Sequence, residues 1–321
     1  MAYDLLTQIA HIGMIPVLNI DKVERAIPLA KALTKGGLPL MEVMFRTDAA
    51  ADSIKAIACE LPDFIIGAGT VLTVDQAMRA VDSGAQFLVA PGFNPKVVEW
   101  AVDHKMPIVP GTVTPTEVEA ARALGVHVLK FFPAVQQGGV PAMGLLSGPY
   151  PDVRWVPTGD MTRPLATEYL QFNKVAATGG DFMLKYDDIH ADNYEKITHD
   201  VEETILDYLN FHMARFGFNT ADKSSADTLV SRLSEVFHQK TSQIDGSSFS
   251  GSIFECLYKN GIGRNGDLAV GTRDATRAYY YLKRCGVEFA EDTVETFEDG
   301  RITSIYLKDD FEDFAIRLVQ D

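Results

Sequence analysis

MIPVLNIDKVERAIPLAKALTKGGLPLMEVMFRT, residues 14–47, is the stretch on which the fold turns. It opens with a short run that is apolar on both faces (MIPVLNI, 14–20) and closes with a second one (LMEVMFRT, 40–47). Between them Val23, Ala26, Ile27, Ala30 and Leu33 recur at helical spacing, and Gly36-Gly37 supplies a stop. Asp21 stands where an N-cap carboxylate is wanted, and Pro28, inside the helical stretch, is expected to kink it. Strands without a polar face, alternating with an amphipathic helix, predict a parallel sheet covered by helices.

The same theme continues outward. Further runs are FIIGAGTVL (64–72), FLVAPGF (87–93), PIVPGTV (107–113), VLKFFPA (128–134), RWVPTGDM (154–161) and KVAATGGDFM (174–183). Their starts lie 20 to 26 residues apart, one βα unit each with short connections. Thr73 and Thr114 are expected N-caps, with Pro95 and Pro115 in first helical turns. Eight units predict an α/β fold, a compact (β/α)₈ TIM barrel over residues 1–184. A doubly wound open sheet is the alternative, although it does not require eight units.

From residue 185 the character changes. Residues 185–211 open acidic and turn helical, and are expected to be a helical linker. Residues 212–321 then make two similar passes. HMARFGFN (212–219), SADTLVSRLSEVF (225–237) and a stretch ending in SIFECLY (252–258) form one. GDLAVGTR (266–273), DATRAYYYLKRCG (274–286), residues 287–310 and FAIRLVQ (314–320) form the other. Each reads as strand, helix, then several strands, so a smaller α+β domain of paired βαβββ units is predicted.

At 321 residues a second domain is expected on length alone. The net charge of -15 argues against binding a phosphate backbone, so no nucleic-acid partner is expected. No apolar run approaches the roughly 20 residues that span a bilayer, and MAYDLLTQIAHIG has no basic leader region. No membrane partner and a cytoplasmic location are therefore expected. Cys59, Cys256 and Cys285 form no CxxC pair and fit reduced, structural thiols.

In a barrel the C-terminal strand ends face the active site, which draws attention to Glu42, Arg46, Thr70, Pro91, Thr112, Lys130 and Thr158. Lys130 is flanked by Val128, Leu129, Phe131, Phe132 and Pro133. A desolvated strand lysine favours the neutral amine that attacks a ketone. The alternative is a lysine snorkelling to solvent. Glu42 and Arg46, four apart on one strand, are expected on one face, suited to proton transfer and carboxylate binding or to a plain ion pair. IGAGTV, PTGDM and ATGGDF at strand-to-helix junctions are either anion-holding turns or ordinary tight turns.

Taken together, MEVMFRT, GAGTVL, APGF, KFFPA and PTGD resemble the 2-keto-3-deoxy-6-phosphogluconate / 4-hydroxy-2-oxoglutarate (KDPG/KHG) aldolase family over residues 1–184, with the motifs in family order. The resemblance implies a class I Schiff-base aldolase that cleaves a 2-keto-3-deoxy sugar acid, a small-molecule 2-keto acid, to pyruvate and an aldehyde. Lys130 matches the Schiff-base lysine and Glu42 the general acid/base. Arg46, Thr70 and Thr158 match positions around the carboxylate and hydroxyls, and Pro91 and Phe132 match pocket walls. The family implies no metal or organic cofactor and a homotrimer. Gly159 and Gly180 keep the family's phosphate-end glycines, but Asp160 and Asp181 replace a glycine and a serine there, and Val135-Gln136 replaces an acidic position. Two carboxylates repel a phosphate dianion, so a substrate with an uncharged or short tail is expected.

The doubled pattern of 212–321 resembles the vicinal-oxygen-chelate (glyoxalase-like) superfamily. The positions matching its metal ligands are His212, Glu255, Asp267 and Arg317, and a cation at the fourth opposes a divalent metal. No metal is therefore expected, with His212, Glu255 and Asp267 as weak candidates. Two readings compete with an aldolase carrying a metal-free accessory domain. One is a bifunctional enzyme with a metal-dependent C-terminal half. The other is a barrel-based small-molecule binding protein.

Overall fold

The computed structural model describes residues 2–244, 246–259 and 261–321, with side chains from residue 5 onward. Its compact units divide between Ile205 and Leu206.

The first unit begins with α1 (Ala2–Ile12), β1 (Met14–Leu18), α2 (Ala26–Lys35), β2 (Leu40–Met44), α3 (Ala50–Glu60) and β3 (Ile65–Gly69). It continues through α4 (Val74–Asp82), β4 (Phe87–Val89), α5 (Pro95–Asp103), β5 (Ile108–Val109), β6 (Gly111–Thr112), α6 (Pro115–Ala123) and β7 (Val128–Phe131). Then come α7 (Gly139–Ser147), β8 (Arg154–Pro157), α8 (Arg163–Gln171), β9 (Thr178–Gly180), α9 (Tyr186–His190) and α10 (Tyr194–Leu209), the last crossing the unit boundary.

These strands make a curled, wholly parallel sheet in two hydrogen-bonded pieces, β5-β4-β3-β2-β1-β9 and β6-β7-β8. Pro110, which has no N–H to give, falls between β5 and β6. Its carbonyl accepts from the Lys130 N–H at 2.9 Å. Parallel bridges Trp155↔Val175 and Thr158↔Gly179 connect β8 to the chain around β9.

The inward face is apolar at the strand starts. Ile15, Leu40, Ile65, Phe87, Val89, Val109 and Val156 form one cluster with Ile9 of α1. So α1 packs against the N-terminal ends of the strands, a role its sequence had not suggested.

Most helix signals act as expected. Thr73 caps α4, Pro95 begins α5, and Thr114 with Glu117 forms a capping box on α6. Asp21 does not cap α2: its carboxylate instead pairs with Arg25 at 2.9 Å, and Arg25 also binds Asp192. Pro28 needs no kink, because α2 starts at Ala26 and Pro28 sits in the first turn, where its missing N–H has no intrahelical partner to lose. Gly37, at φ +98°, ends the helix.

Residues 185–205 belong to the first unit rather than to a linker over 185–211. Ile189, Ile197, Val201 and Ile205 are buried. The Tyr186 hydroxyl accepts from the Asn19 N–H, Thr198 donates to the Ala32 carbonyl, and Arg163 donates to the Asp200 carbonyl. The amphipathic α10 meets the C-terminal end of α2, where the absence of a side chain at Gly36 leaves room for Val201.

The second unit carries β10 (His212–Asn219), α11 (Lys223–Phe237), β11 (Thr241–Ile244), β12 (Ser247–Ser250) and β13 (Phe254–Leu257). A second pass follows with β14 (Gly266–Thr272), α12 (Ala275–Arg284), β15 (Glu295–Thr296), β16 (Ile302–Phe311) and β17 (Phe314–Gln320). The sheet order is β11-β12-β13-β10-β14-β17-β16-β15. β10 runs parallel to β13, β14 parallel to β17, and the two halves meet along the antiparallel β10–β14 ladder. Each half runs strand, helix and then three strands. No helix among the described residues is long and apolar enough to cross a membrane.

Candidate active site

Register decides which side chains enter the first unit's interior, because residues paired across parallel strands point the same way. Glu42 pairs with Val17 and Gly67; Leu40, two residues before Glu42, and Phe87, level with Gly67, are both in the inner cluster. Lys130 pairs with Gly111 and with Val156, itself a cluster member. Both side chains therefore point inward from the C-terminal halves of their strands, one layer above the apolar filling. Both are buried, at 2% and 7% exposure.

Burial pushes the Glu42 carboxyl above the ordinary glutamate range, and the charges of Lys130 and Arg46 draw it part of the way back. That places the carboxylate within the field of both cations. A carboxyl raised in this way keeps its proton to higher pH than an exposed glutamate does. Arg46 does not share a strand face with Glu42, because β2 ends at Met44 and Arg46 lies in the following turn, exposed. Its charge reaches Glu42 from the loop.

The other expected site residues gather around this pair. The Lys130 ammonium sits 5.1 Å from the centre of the half-buried Phe132 ring. Gly159 also lies close to that ring, and a Cβ added there would come within 3.3 Å of it. Thr158 continues the inward face of Val156 and is 5% exposed, and its hydroxyl oxygen is buried without a hydrogen-bond partner. A buried hydroxyl without a partner is costly unless a ligand supplies one. Thr70 is half-buried just past β3 at φ +57°. A β-branched residue in the left-handed region carries strain of the kind that collects at functional sites. The Pro91 carbonyl comes so close to Gly111 that a Cβ there would meet it at 2.1 Å.

Asp160 and Asp181 are both exposed beyond the ends of β8 and β9. Asp160 adopts φ +49°, a conformation that aspartate tolerates, and accepts a hydrogen bond from the Gln136 amide. Gly180 is directed at Phe182 and Met161. Gly179, not singled out in the sequence, is the residue whose missing side chain leaves room for the Thr158 methyl.

Two of the three glycine-bearing segments place their glycines inside strands. Gly67 and Gly69 lie inside β3, and Gly179 and Gly180 inside β9. The Phe87 ring occupies the space over Gly67, and the Glu42 carboxylate the space over Gly69. Thr112 is buried with its hydroxyl unpartnered, but it follows the inward-facing Gly111 and so turns away from the interior.

In the second unit Glu255, Asp267 and Arg317 do come together, and His212 does not. Arg317 reaches Glu255 at 3.2 Å and stands 2.8 Å from Asp267, in poor hydrogen-bond alignment with it. Arg215 holds Glu255 at 2.8 Å, and Ser247 donates to its other oxygen at 2.9 Å. Burial raises the Asp267 carboxyl and Arg317 only partly offsets that, whereas for Glu255 the hydrogen bond from Arg215 and the charge of Arg317 outweigh burial and lower it. His212 pairs with Gly271, five residues along β10 from Gly217, which lies opposite both Glu255 and Asp267, and its imidazole meets Asp321. Among the described residues no group of three or more His, Cys, Asp or Glu is arranged to hold a metal. The guanidinium between the carboxylates takes the place a cation would need, so the metal candidates His212, Glu255 and Asp267 do not form a ligand set.

A family model described as KDPG and KHG aldolase matches residues 6–200. The chain is 45% identical over 195 residues to the 2-dehydro-3-deoxy-phosphogluconate aldolase of Treponema pallidum (strain Nichols), covering 61% of this chain and 93% of that protein. It is 38% identical over 192 residues to the KHG/KDPG aldolase of Escherichia coli (strain K12), covering 60% and 90%. Among solved structures, KDPG aldolase from Legionella pneumophila, with pyruvate captured as a covalent carbinolamine intermediate, superposes with a TM-score of 0.60 at 32% identity. That match covers 62% of this chain and 97% of the other.

Proposed function

Through residues 6–200 the chain belongs to the KDPG and KHG aldolase family, and from that premise we propose that Lys130 and Glu42 carry a class I aldol cleavage of a 2-keto-3-deoxy acid to pyruvate and an aldehyde. The observation that carries the assignment is the buried, inward pair itself, with the Glu42 carboxyl in the field of the Lys130 ammonium. The strand pairings support reading the two sheet pieces as one (β/α)₈ barrel, interrupted only by Pro110 and by the bridged seam at β8.

The Lys130 amine adds to the C2 carbonyl, giving a carbinolamine that loses water to become an iminium ion. The iminium nitrogen takes up the electron pair of the C3–C4 bond as that bond breaks. Glu42 takes the proton from the C4 hydroxyl, which becomes the aldehyde carbonyl, and returns a proton to C3 of the enamine. Water then adds to the iminium carbon and frees pyruvate and the lysine. Arg46 suits the substrate carboxylate, Thr158 offers its unpartnered hydroxyl, and Phe132 and Pro91 wall the pocket.

Asp160 and Asp181 surround the place where the substrate's tail would lie, so an uncharged hydroxylated tail or a short one fits better than a phosphate. A homotrimer and a cytoplasmic location are part of the proposal, as is a glyoxalase-like accessory role for residues 212–321. The Arg317-centred network favours a module without metal chemistry over a second catalytic centre.

Borohydride reduction in the presence of pyruvate, with peptide mass spectrometry, tests the assignment. A pyruvyl adduct on Lys130 that is absent from Lys130→Ala supports it. A folded wild-type protein that yields no adduct would leave a barrel that binds small molecules without this chemistry.

A further inference from the structure

We infer that Gly69 is a positioning residue for the proton-transfer step: its missing side chain is the space in which the Glu42 carboxylate rests. The inference depends on the aldolase reading above and adds a residue which that reading does not use. Glu42 is level with Gly67 in the β2–β3 register, and Met44 is level with Gly69. The carboxylate nevertheless lies over Gly69, one inward position nearer the mouth. A Cβ built on Gly69 would stand 2.0 Å from Oε1, 2.6 Å from Cδ and 2.7 Å from Cγ of Glu42.

Backbone freedom is not what the position needs, because Gly69 is absent from the residues with positive φ. Nor can the carboxylate drop back a layer. The Phe87 ring already fills the space over Gly67, its atoms 2.3 to 2.5 Å from where a Cβ would be. Phe87 below and Gly69 beside it thus define one seat for the carboxylate. Even a single methyl group at position 69 overlaps that seat by more than 1 Å, since ordinary contact begins near 3.4 Å. Displaced toward the mouth, the carboxylate loses its place beside the iminium carbon chain, while Lys130 on β7 keeps its own.

The test separates imine formation from proton transfer. In D₂O the pyruvyl iminium gives up a C3 proton to the carboxylate, and the enamine takes a deuteron back from it, so loss of the pyruvate methyl signal by NMR measures the transfer alone. In Gly69→Ala the borohydride adduct on Lys130 is expected to persist, while exchange and kcat fall about 100-fold or more, within the range for a lost general acid–base. KM is expected to change little. The limb of the exchange profile that reports the carboxyl moves to lower pH, because the group has left its buried seat.

Adding Glu42→Asp, one methylene shorter, to Gly69→Ala is expected to recover at least about 10-fold of the exchange, although Glu42→Asp alone slows the wild type. Wild-type exchange and pH profile in Gly69→Ala, or losses that simply multiply in the double variant, would overturn the inference. So would failure of both Gly69 variants to fold, which would make the glycine a requirement of the barrel. Absence of an adduct in the wild type would instead overturn the aldolase reading.

Discussion

Replacing Gly67 by alanine and Phe87 by leucine, singly and together, tests whether the barrel interior beneath the site is packed solid. A methyl group added at Gly67 would sit 2.3 to 2.5 Å from three atoms of the Phe87 ring, so the ring must retreat by about 1 Å in a close-packed interior. Overpacking of this kind costs about 1–3 kcal/mol, of which the stiffer unfolded chain returns about 0.4–1. Gly67 has no positive φ, so backbone strain adds nothing. The net loss for Gly67→Ala is about 1–2 kcal/mol. Phe87→Leu costs about 1 kcal/mol as a hydrophobic swap with a small void. In the double variant the void receives the methyl. Its loss should be near 1 kcal/mol rather than the sum, a coupling of about 1–2 kcal/mol. Both tryptophans, Trp100 and Trp155, lie in the first unit, so tryptophan emission during urea unfolding of the intact chain reports that unit by itself. Additivity within about 0.5 kcal/mol would refute the packing argument, since only residues in contact couple more strongly.

Four further outcomes follow from the site and the second unit. Glu42→Gln should lower kcat by about 10² to 10⁴, read in a pyruvate-release assay. It should also change the pH dependence of stability. A carboxyl raised by burial contributes stability below its unfolded pKa that is lost as pH rises through the folded value, so the variant should gain on the wild type as pH increases. A variant whose urea midpoint falls relative to the wild type as pH rises would contradict this. Arg317→Met leaves Glu255 and Asp267 buried without their shared cation and should cost about 3 kcal/mol in the second unit. Circular dichroism of the unfolding transition not seen by tryptophan would read that loss, and an unchanged transition would count against the network. The kcat/KM for unphosphorylated 2-keto-3-deoxygluconate should exceed that for its 6-phosphate, and a strong preference for the phosphoester would show that Asp160 and Asp181 do not face the tail.

The strands were legible because each run lacks a polar face, and Thr73, Thr114, Pro95 and Pro115 mark helix starts by local chemistry that needs no partner. Asp21 misled because Arg25, four residues on, competes for its carboxylate, and that competition depends on Asp192, far away in the chain. The helices of 185–205 were seen, but an apolar stripe does not say which surface it will meet. Lys130 and Glu42, which both prove buried, were singled out through type, strand position and motif resemblance together. Gly69 was not, since a glycine near a strand end looks like a turn, and the side chain that fills its space comes from the neighbouring strand. The cluster around Arg317 draws on five strands, and no spacing in the sequence encodes that a guanidinium would settle between two carboxylates while His212 fell five residues out of line.

The docking of α1 on the strand starts has a consequence for traffic. With Ile9 and the ring of Phe87 among the side chains filling that end, the aldolase reading has substrate, water and both products pass at the opposite, C-terminal end of the strands. An enamine held deep by a covalent bond then waits behind its own departing aldehyde. On the aldolase reading pyruvate stays covalently bound until hydrolysis, so an aldehyde that lingers at the C-terminal end meets the enamine again, and plentiful aldehyde favours carbon–carbon bond formation over release.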